Sequence, residues 1–304
     1  MKKAKNIRTV SSTTLAAILN ATAVQPANAT EGGGSVYQPG VENFVCCAVP
    51  PPGLYGLLYG QHYRADNIRG DAGQVVTPPT FQVRATAVVS RLIWVLPQQV
   101  AGASLAMHAI LPVVNLDIHI APGVSQRKTG AGDLVLGPAL GWHHSPNLHT
   151  LAGVDIYAPT GSYRKTDRAN IGRNYWAVQP LAGVSYIDPA GFNGDLKFMW
   201  TFNGKNKDTD YRSGQEIIVD YALGWSIGNG LTVGVGGYLY QQVSNDKQNG
   251  AKVPGSECRA FAIGPSLKYD SQKGWFVTAK FQAERGVRNR AQGQAFWLKA
   301  VFPL

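Results

Sequence analysis

Charged residues are scarce in this sequence, and long apolar runs are absent. Asp, Glu, Lys and Arg make up 15% of the 304 residues, while glycine occurs 35 times. This composition is typical of a chain built from strands and turns, and not of one with charged surface helices. No stretch of about eighteen uninterrupted apolar residues occurs, which disfavours a transmembrane helix. A membrane crossing would therefore need strands that close into a barrel.

Cysteine is also rare, because only Cys46, Cys47 and Cys258 occur. In an exported chain, one of the adjacent pair could form a disulfide bond with Cys258 and leave the other free. The alternative is that none of the three is paired. Glu42 and Asn43 lie where a lipoprotein signal needs an apolar core, so no lipid attachment to Cys46 or Cys47 is expected.

The first 29 residues have the pattern of a secretion signal. Basic residues up to Arg8 precede an apolar stretch from Leu15 to Leu19, and Ala27-Asn28-Ala29 has the small residues of a cleavage site. Cleavage near Ala29 removes four of the 28 Lys and Arg, which leaves 24 basic and 18 acidic residues and a net charge of +6. No basic run concentrates this charge, so nucleic acid is not an expected partner. Outer-membrane lipid and lipopolysaccharide are the expected ones.

The stretch from Gln215 to Tyr240 predicts a β-hairpin. Ile217, Val219, Tyr221, Leu223 and Trp225 share one parity, and the residues between them are polar or small. Asn229-Gly230 then supplies the pair that a type I′ turn needs, because both of its central residues have positive φ. A second alternating run follows from Leu231.

The same alternation predicts about twelve strands between residues 54 and 304, joined alternately by long and short connections. The predicted long connections are 66–79, 115–131, 159–173, 204–214, 243–257 and 285–292. An even number of strands with all long loops at one end is typical of a transmembrane antiparallel up-and-down β-barrel of the Gram-negative outer membrane. This interpretation puts both termini in the periplasm. The Pro- and Gly-rich leader, residues 30–53, is expected in the periplasm or as a plug in the lumen.

Charged residues are predicted to face the lumen, because a Lys or Arg on the lipid side at the midplane costs roughly 2–4 kcal/mol. The predicted lumen-lining residues are Arg84, Asp133, Asp155, Asp195, Lys197, Glu216, Asp220, Lys268, Lys280, Glu284 and Lys299. Aromatic residues near strand ends are expected at the membrane interfaces: Tyr55, Tyr63, Trp94, Trp142, Tyr175, Trp176, Trp225 and Trp275. The lumen is then either a filled structural interior or a narrow polar pathway for a small molecule.

The sequence contains only weak indications of a catalytic site or a metal site. His143 and Ser145 have the spacing of the His and Ser of outer-membrane phospholipase A, but they lie on a predicted periplasmic turn. His143, His144 and His149 have no neighbouring Cys or carboxylate, so a metal site is not expected. We therefore expect no catalytic activity and no cofactor, and a lipid hydrolase is the least favoured alternative.

An ordered set of short motifs resembles a known family. The motifs are Glu31-Gly32-Gly33-Gly34, Pro51-Pro52-Gly53-Leu54-Tyr55, Tyr63-Arg64-Ala65-Asp66, Gly132-Asp133 with Gly137-Pro138, Ala158-Pro159-Thr160-Gly161-Ser162-Tyr163, Asn174-Tyr175-Trp176, Ser213-Gly214-Gln215-Glu216, Asp220-Tyr221-Ala222-Leu223-Gly224-Trp225 and Gly236-Gly237-Tyr238. Together they resemble the family named for the MetA pathway of phenol degradation.

This resemblance implies an outer-membrane transporter linked with the uptake of aromatic or other hydrophobic compounds, and it assigns no binding residues. The expected function is a channel for passive uptake of a small apolar or aromatic solute. The alternative is a structural or surface-binding barrel with a filled lumen.

Overall fold

Twelve antiparallel strands form one closed barrel in the computed structural model, which describes residues 31–304. The predicted secretion signal and its cleavage site lie outside the described residues. A short 3-10 helix, Glu31–Gly33, precedes the barrel. The barrel strands are β1 (Gly53–Arg69), β2 (Gln82–Val100), β3 (Ala103–Ala121), β4 in two segments (Val124–Ala131 and Leu134–His143), β5 (Leu148–Ala158), β6 (Ala177–Ile187), β7 (Phe192–Asn203), β8 (Glu216–Ser226), β9 (Leu231–Gln242), β10 (Arg259–Asp270), β11 (Phe276–Arg288) and β12 (Arg290–Pro303).

Each strand pairs with the next along the chain, and the pairing of β1 with β12 closes the sheet. The predicted fold class and strand number are confirmed. Closure leaves no strand with an unpaired edge, so the backbone polar groups are satisfied within the sheet. Among residues 31–304, no helix has the length and apolar character to cross a membrane.

The alternation of side chains explains why these segments are strands. In β7, Asp195, Lys197 and Thr201 are buried on one face, while Leu196 and Trp200 are exposed on the other. A period of two residues suits a strand with a polar inner face and an apolar outer face. The wall therefore presents apolar side chains outward along most of its height.

The hairpin of β8 and β9 has the predicted turn. Asn229 and Gly230 have φ values of 51° and 76°, the positive values that the Asn-Gly pair favours. The turns β2–β3, β4–β5, β6–β7 and β10–β11 lie at the same end of the barrel as this one, which we call the inner end. Longer connections spanning 70–81, 159–176, 204–215 and 243–258 lie at the opposite, outer end.

Two of the predicted long loops are wrong, because they are extensions of strands. Between 115 and 131, β3 continues to Ala121 and β4 begins at Val124, with only Pro122 and Gly123 between them. Between 285 and 292, β11 and β12 are separated only by Asn289. These segments carry polar residues at outward-facing positions such as Asn115, Asp117 and Arg285, so their composition indicates loops, although a strand that projects beyond the membrane tolerates polar residues on its outer face.

Three two-residue strands cover part of the outer end. Tyr211–Arg212, Lys247–Gln248 and Ala251–Lys252 form a small separate sheet between the connections 204–215 and 243–258. Backbone hydrogen bonds therefore join these two connections above the lumen.

We predict that Gly234→Ala lowers the free energy of unfolding of the barrel by about 1–3 kcal/mol, because overpacking forces the backbone to shift. A Cβ atom at Gly234 would lie 2.0 Å from the carbonyl oxygen of Leu223 and 2.6 Å from Cα of Gly224. The measurement is urea unfolding of the refolded protein, followed by tryptophan fluorescence. The control is Gly60→Ala, because a Cβ atom there meets nothing within 4 Å. Equal stability of the two variants would contradict the close packing of β8 against β9.

Candidate functional site

The described part of the leader, residues 31–52, runs through the lumen of the barrel. At the outer end, the N–H group of Glu31 donates to Ser213 Oγ at 3.2 Å, and Thr209 and Asn206 donate to the Glu31 carboxylate. At the inner end, the leader continues into β1 at Gly53. The expectation that both ends of the mature chain lie on the periplasmic side is therefore corrected, because residue 31 lies at the outer end.

Asp220 of β8 holds the middle of the leader. Its carboxylate accepts hydrogen bonds from the hydroxyl group of Tyr37 at 2.5 Å and from the N–H groups of Gly40 and Glu42 at 2.7 and 3.0 Å. Asp220 is buried. A buried carboxylate with three donors is well satisfied, and the two backbone donors fix the path of the leader and not only one side chain.

Glu42 of the leader lies among three cations that come from three different strands. Its carboxylate is 3.1 Å from Arg91 of β2, 3.3 Å from Lys299 of β12 and 3.6 Å from Lys197 of β7. Lys280 of β11 also donates to the Glu42 carbonyl oxygen at 2.6 Å. The side chains of Glu42, Lys197 and Lys299 are at most 6% exposed. Because a buried charge needs close partners, this cluster neutralises charges of both the leader and the wall.

A third contact holds the lower part of the leader. The N–H group of Cys46 donates to Asp195 Oδ1 at 2.9 Å, and the N–H group of Cys47 donates to Ser185 Oγ at 3.0 Å. Ser185 in turn donates to Asp195. At the outer half of the lumen, Ser35 donates to the carboxylate of Glu216. The leader is thus bound to the wall at several heights.

A buried histidine extends the Glu42 cluster along the wall. Arg91 donates to His108 Nδ1 at 2.6 Å, and His108 donates from Nε2 to Asp155 at 2.9 Å. Because arginine only donates, this geometry fixes the tautomer of a neutral His108. The chain of contacts from Asp155 to Glu42 therefore couples β5, β3 and β2 to the leader.

Nine of the eleven predicted lumen-lining residues are buried on the inner face of the wall. They are Asp155, Asp195, Lys197, Glu216, Asp220, Lys268, Lys280, Glu284 and Lys299. Six of these contact the leader directly: Asp195, Lys197, Glu216, Asp220, Lys280 and Lys299. Glu284 instead accepts hydrogen bonds from Tyr238, Tyr63 and the N–H group of Gly293.

Arg84 and Asp133 lie elsewhere. Arg84 is exposed and shares its parity with the exposed Val88, Leu92 and Trp94, so it lies on the outer face of β2. The inward parity of this strand carries Arg91, which the sequence interpretation missed. Asp133 is buried between the two segments of β4, where it accepts from the N–H groups of Gly161 and Arg173 at 2.8 Å each. It therefore holds the connection 159–176 in place.

Buried tyrosines are the second feature that sequence reasoning missed. The buried tyrosines of the barrel interior and leader are Tyr37, Tyr59, Tyr157, Tyr175, Tyr238 and Tyr240. Tyr175 was expected at an interface and is 2% exposed, and Tyr63, also expected there, donates to Glu284 at 3.1 Å. Arg290 lies over the ring of Tyr240, 4.7 Å from its centroid. In the sequence, Tyr238 and Tyr240 share their parity with the polar Gln242, and this pattern indicates that they face the lumen.

The three cysteines are all free, so of the two alternatives left open by the sequence, the structure has the one in which none is paired. Cys46 and Cys47 lie against β6 and β7, with their Sγ atoms 2.7 Å apart. Cys258 precedes β10 and donates to the carbonyl oxygen of Asn289 at 3.3 Å. Burial raises the pKa of the Cys258 thiol to about 12, which makes this thiol unreactive at neutral pH.

In the turn with His143 and Ser145, the serine side chain binds backbone N–H groups. Ser145 Oγ accepts from the N–H groups of Asn147 and Leu148 at 3.2 and 3.0 Å, while His143 Nδ1 lies 2.7 Å from His149 Nδ1. The serine therefore closes the turn between β4 and β5. Within residues 31–304, no group of three or more His, Cys, Asp or Glu side chains is arranged to hold a metal ion.

Comparisons with known proteins agree with this architecture. A family model described as "Putative MetA-pathway of phenol degradation" matches residues 65–300. The crystal structure of the COG4313 outer membrane channel from Pseudomonas putida F1 is similar with a TM-score of 0.76 at 19% identity, covering 88% of this chain and 100% of that chain. At this identity the likeness shows the fold, which is that of an outer-membrane β-barrel.

Two further structures are more distant. The CymD monoaromatic hydrocarbon channel has a TM-score of 0.40 at 10% identity and covers 83% of this chain and 89% of its own. A Pseudomonas aeruginosa FadL homologue has a TM-score of 0.44 at 8% identity and covers 89% of this chain and 96% of its own. Neither likeness is close enough to carry an argument. No curated protein matches the sequence.

We predict that Glu42→Gln lowers the free energy of unfolding by about 3–5 kcal/mol, because the loss of one partner leaves buried charges uncompensated. Urea unfolding in detergent micelles is the measurement. The matched control is Asp210→Asn, because the ion pair of Asp210 with Lys205 is about half exposed. Exposed pairs contribute at most about 1 kcal/mol. If both variants lose the same stability, Glu42 does not hold the leader in the way described.

Proposed function

Since the chain belongs to the MetA-pathway of phenol degradation family, we propose that it is a channel for passive uptake of small hydrophobic or aromatic compounds across the Gram-negative outer membrane. The observation that carries the proposal is the leader, which fills the lumen as a separate segment bound to the wall. A wall that closed on its own side chains would have no need of such a segment. The Pseudomonas putida protein with a similar fold is an outer membrane channel, which supports the proposal.

The chemistry of the lumen suits a small aromatic solute. The buried tyrosines provide ring faces for stacking, and the neighbouring carboxylates and cations provide hydrogen-bonding partners for a hydroxyl group. Most of these residues are in contact with the leader or with each other, so the described arrangement corresponds to a closed channel. Passage requires the leader to move away from the wall.

The contacts of the leader are suited to such a movement. Asp220, Glu42 and Asp195 bind it through hydrogen bonds and ion pairs, which water replaces at a moderate cost once the lumen hydrates. We therefore place the gate at the leader and propose no catalytic step.

A structural barrel with a filled lumen is the second candidate. The near-complete burial of Glu216, Lys280 and Asp220 favours it, because these side chains leave little free space in the described state. This candidate predicts no solute flux whether or not the leader is free to move. The two candidates are therefore separated by an experiment that controls the leader.

We predict that Ser185→Cys gives a channel that oxidation closes. Ser185 Oγ lies 4.0 Å from Cys46 Sγ, so a thiol at position 185 is within reach of a leader cysteine. Flux of a small phenol into liposomes that contain the oxidised variant is expected to fall to the level of protein-free liposomes, and a reductant is expected to restore it. Mass spectrometry of proteolytic fragments measures the extent of cross-linking.

The control is the unsubstituted protein taken through the same oxidation and reduction, because it already contains Cys46 and Cys47. Equal flux before and after complete cross-linking would show that the leader is not the gate. No flux in the unsubstituted protein, in the reduced variant or in Asp220→Asn, with each barrel correctly folded, would favour the structural barrel.

A further inference from the structure

Charge on the outer face of the barrel is confined to one side. Every exposed residue within β5 to β9 is uncharged. By contrast, β10 and β11 expose Arg259, Arg285 and Arg288 near the outer end, and β1, β2 and β4 expose Arg64, Arg84 and Arg127 there. An arginine on the outer wall is costly at the membrane midplane and tolerated near the interfaces. Exposed arginines on only one side of the described barrel therefore suggest that a partner binds on that side.

Arg64, Arg84 and Arg127 lie with Asp117 in one row across the four strands β1 to β4. Arg64 is directly opposite Arg84, Arg84 is opposite Asp117, and Asp117 is opposite Arg127. Directly opposite residues project from the same face of a sheet. The four side chains are therefore adjacent on the outer face, and we call them the arginine row.

Within this row, Arg64 and Arg84 carry a charge that the protein does not balance well. Asp117 is engaged by Arg127 at 2.6 Å and by His119 at 3.3 Å. Arg64 is 3.8 Å from Asp66, and both of these side chains are about half exposed. No residue between 31 and 304 forms a salt bridge with Arg84. Like charges directly opposite each other destabilise a sheet, and an anion bound between them would remove that repulsion.

The height of the row fits the headgroups of a lipid leaflet. Along β2, Arg84 lies ten residues from the exposed Trp94, and along β1, Arg64 lies ten residues from the exposed Leu54. Ten residues of a strand tilted as in a barrel rise roughly 25 Å, which is the height of the apolar band. The exposed Val88, Leu92 and Leu58 lie between these levels. The arginine row therefore lies at the height of the lipid headgroups, just outside the hydrocarbon.

A second polar row lies two residues from the arginine row, in the direction of the membrane midplane. His62, Thr86, Asn115 and Thr129 are in register across the same four strands. His62 Nδ1 lies 2.9 Å from Thr86 Oγ1, and Asn115 donates to Thr129 at 2.6 Å. Hydroxyl, amide and imidazole groups beneath arginines match a headgroup that combines sugar hydroxyls with phosphate. A phosphodiester headgroup without a sugar would use only the upper row.

We propose that Arg64 and Arg84 bind a phosphate group of an outer-leaflet lipid whose headgroup is a phosphorylated sugar, with the His62–Thr129 row beneath it contacting the sugar. The partner is a lipid on the outside of β1 to β4, so this site is independent of the lumen and of the proposed channel activity. The bidentate geometry of arginine suits phosphate oxygens, and two adjacent arginines bind one phosphate more strongly than one does.

The test measures lipid binding to the purified, folded barrel by native mass spectrometry in detergent. The probes are lipid A, dephosphorylated lipid A with the same acyl chains, and inorganic phosphate. We expect the protein to bind lipid A about tenfold more tightly than the dephosphorylated form, because charge-assisted hydrogen bonds to phosphate are lost. Replacing both arginines, Arg64→Gln with Arg84→Gln, is expected to remove that difference.

The matched control replaces charge at the other end of the barrel. Lys273→Gln, on the exposed turn between β10 and β11, is expected to bind lipid A as the unsubstituted protein does. Circular dichroism checks that each variant is folded, which is expected for exposed positions. The proposal is overturned if the double variant keeps the preference for lipid A, or if Lys273→Gln loses it equally. It is also overturned if inorganic phosphate displaces lipid A, because the site would then bind a free anion.

Discussion

The buried cluster around Glu42 is the interaction on which the rest of the lumen depends. Arg91 and Lys299 come from β2 and β12, the two strands that flank β1, whereas Lys197 comes from β7 on the opposite side of the ring. One carboxylate from outside the wall lies among them. Without that carboxylate, three cations would face each other in a space from which bulk water is largely excluded. The wall and the leader are therefore electrostatically complementary, and neither is complete without the other.

The opposite constraint acts on the outer face. Hydrocarbon does not solvate charge, so the strands alternate between a polar inner position and an apolar outer one over the height of the membrane. Beyond that height the constraint ends, and β3, β4, β11 and β12 continue with polar residues on the outer face. The arginine row lies at the level where the outer face changes from apolar to polar. The described strands thus carry charged side chains on the inner face and expose charge on the outer face only near the outer end.

Sequence patterns predicted the wall well, because alternation is a local property. The β8–β9 hairpin, β7 and the inward direction of Asp195, Lys197 and Asp220 follow from parity over a few residues. The prediction that Arg84 faces the lumen is wrong, because it assumed that every charged residue avoids the outer face. Arg84 lies near the outer end of β2, where an arginine on the outer face has little energetic cost. The roles of Glu42 and Tyr37 could not be predicted, since their partners lie on strands of the wall, between 49 and 257 residues away in sequence. Polar composition likewise concealed the extended ends of β3 and β11.

The course of the leader has a consequence for the closure of the barrel. It joins β1 at the inner end and reaches the connection 204–215 at the outer end, so it lies along the full axis of the closed cylinder. The final seam of that cylinder is the junction of β1 with β12. Residues 31–52, which precede the first strand, therefore lie inside the ring that this junction closes, and the folded sheet surrounds the segment from which its first strand starts.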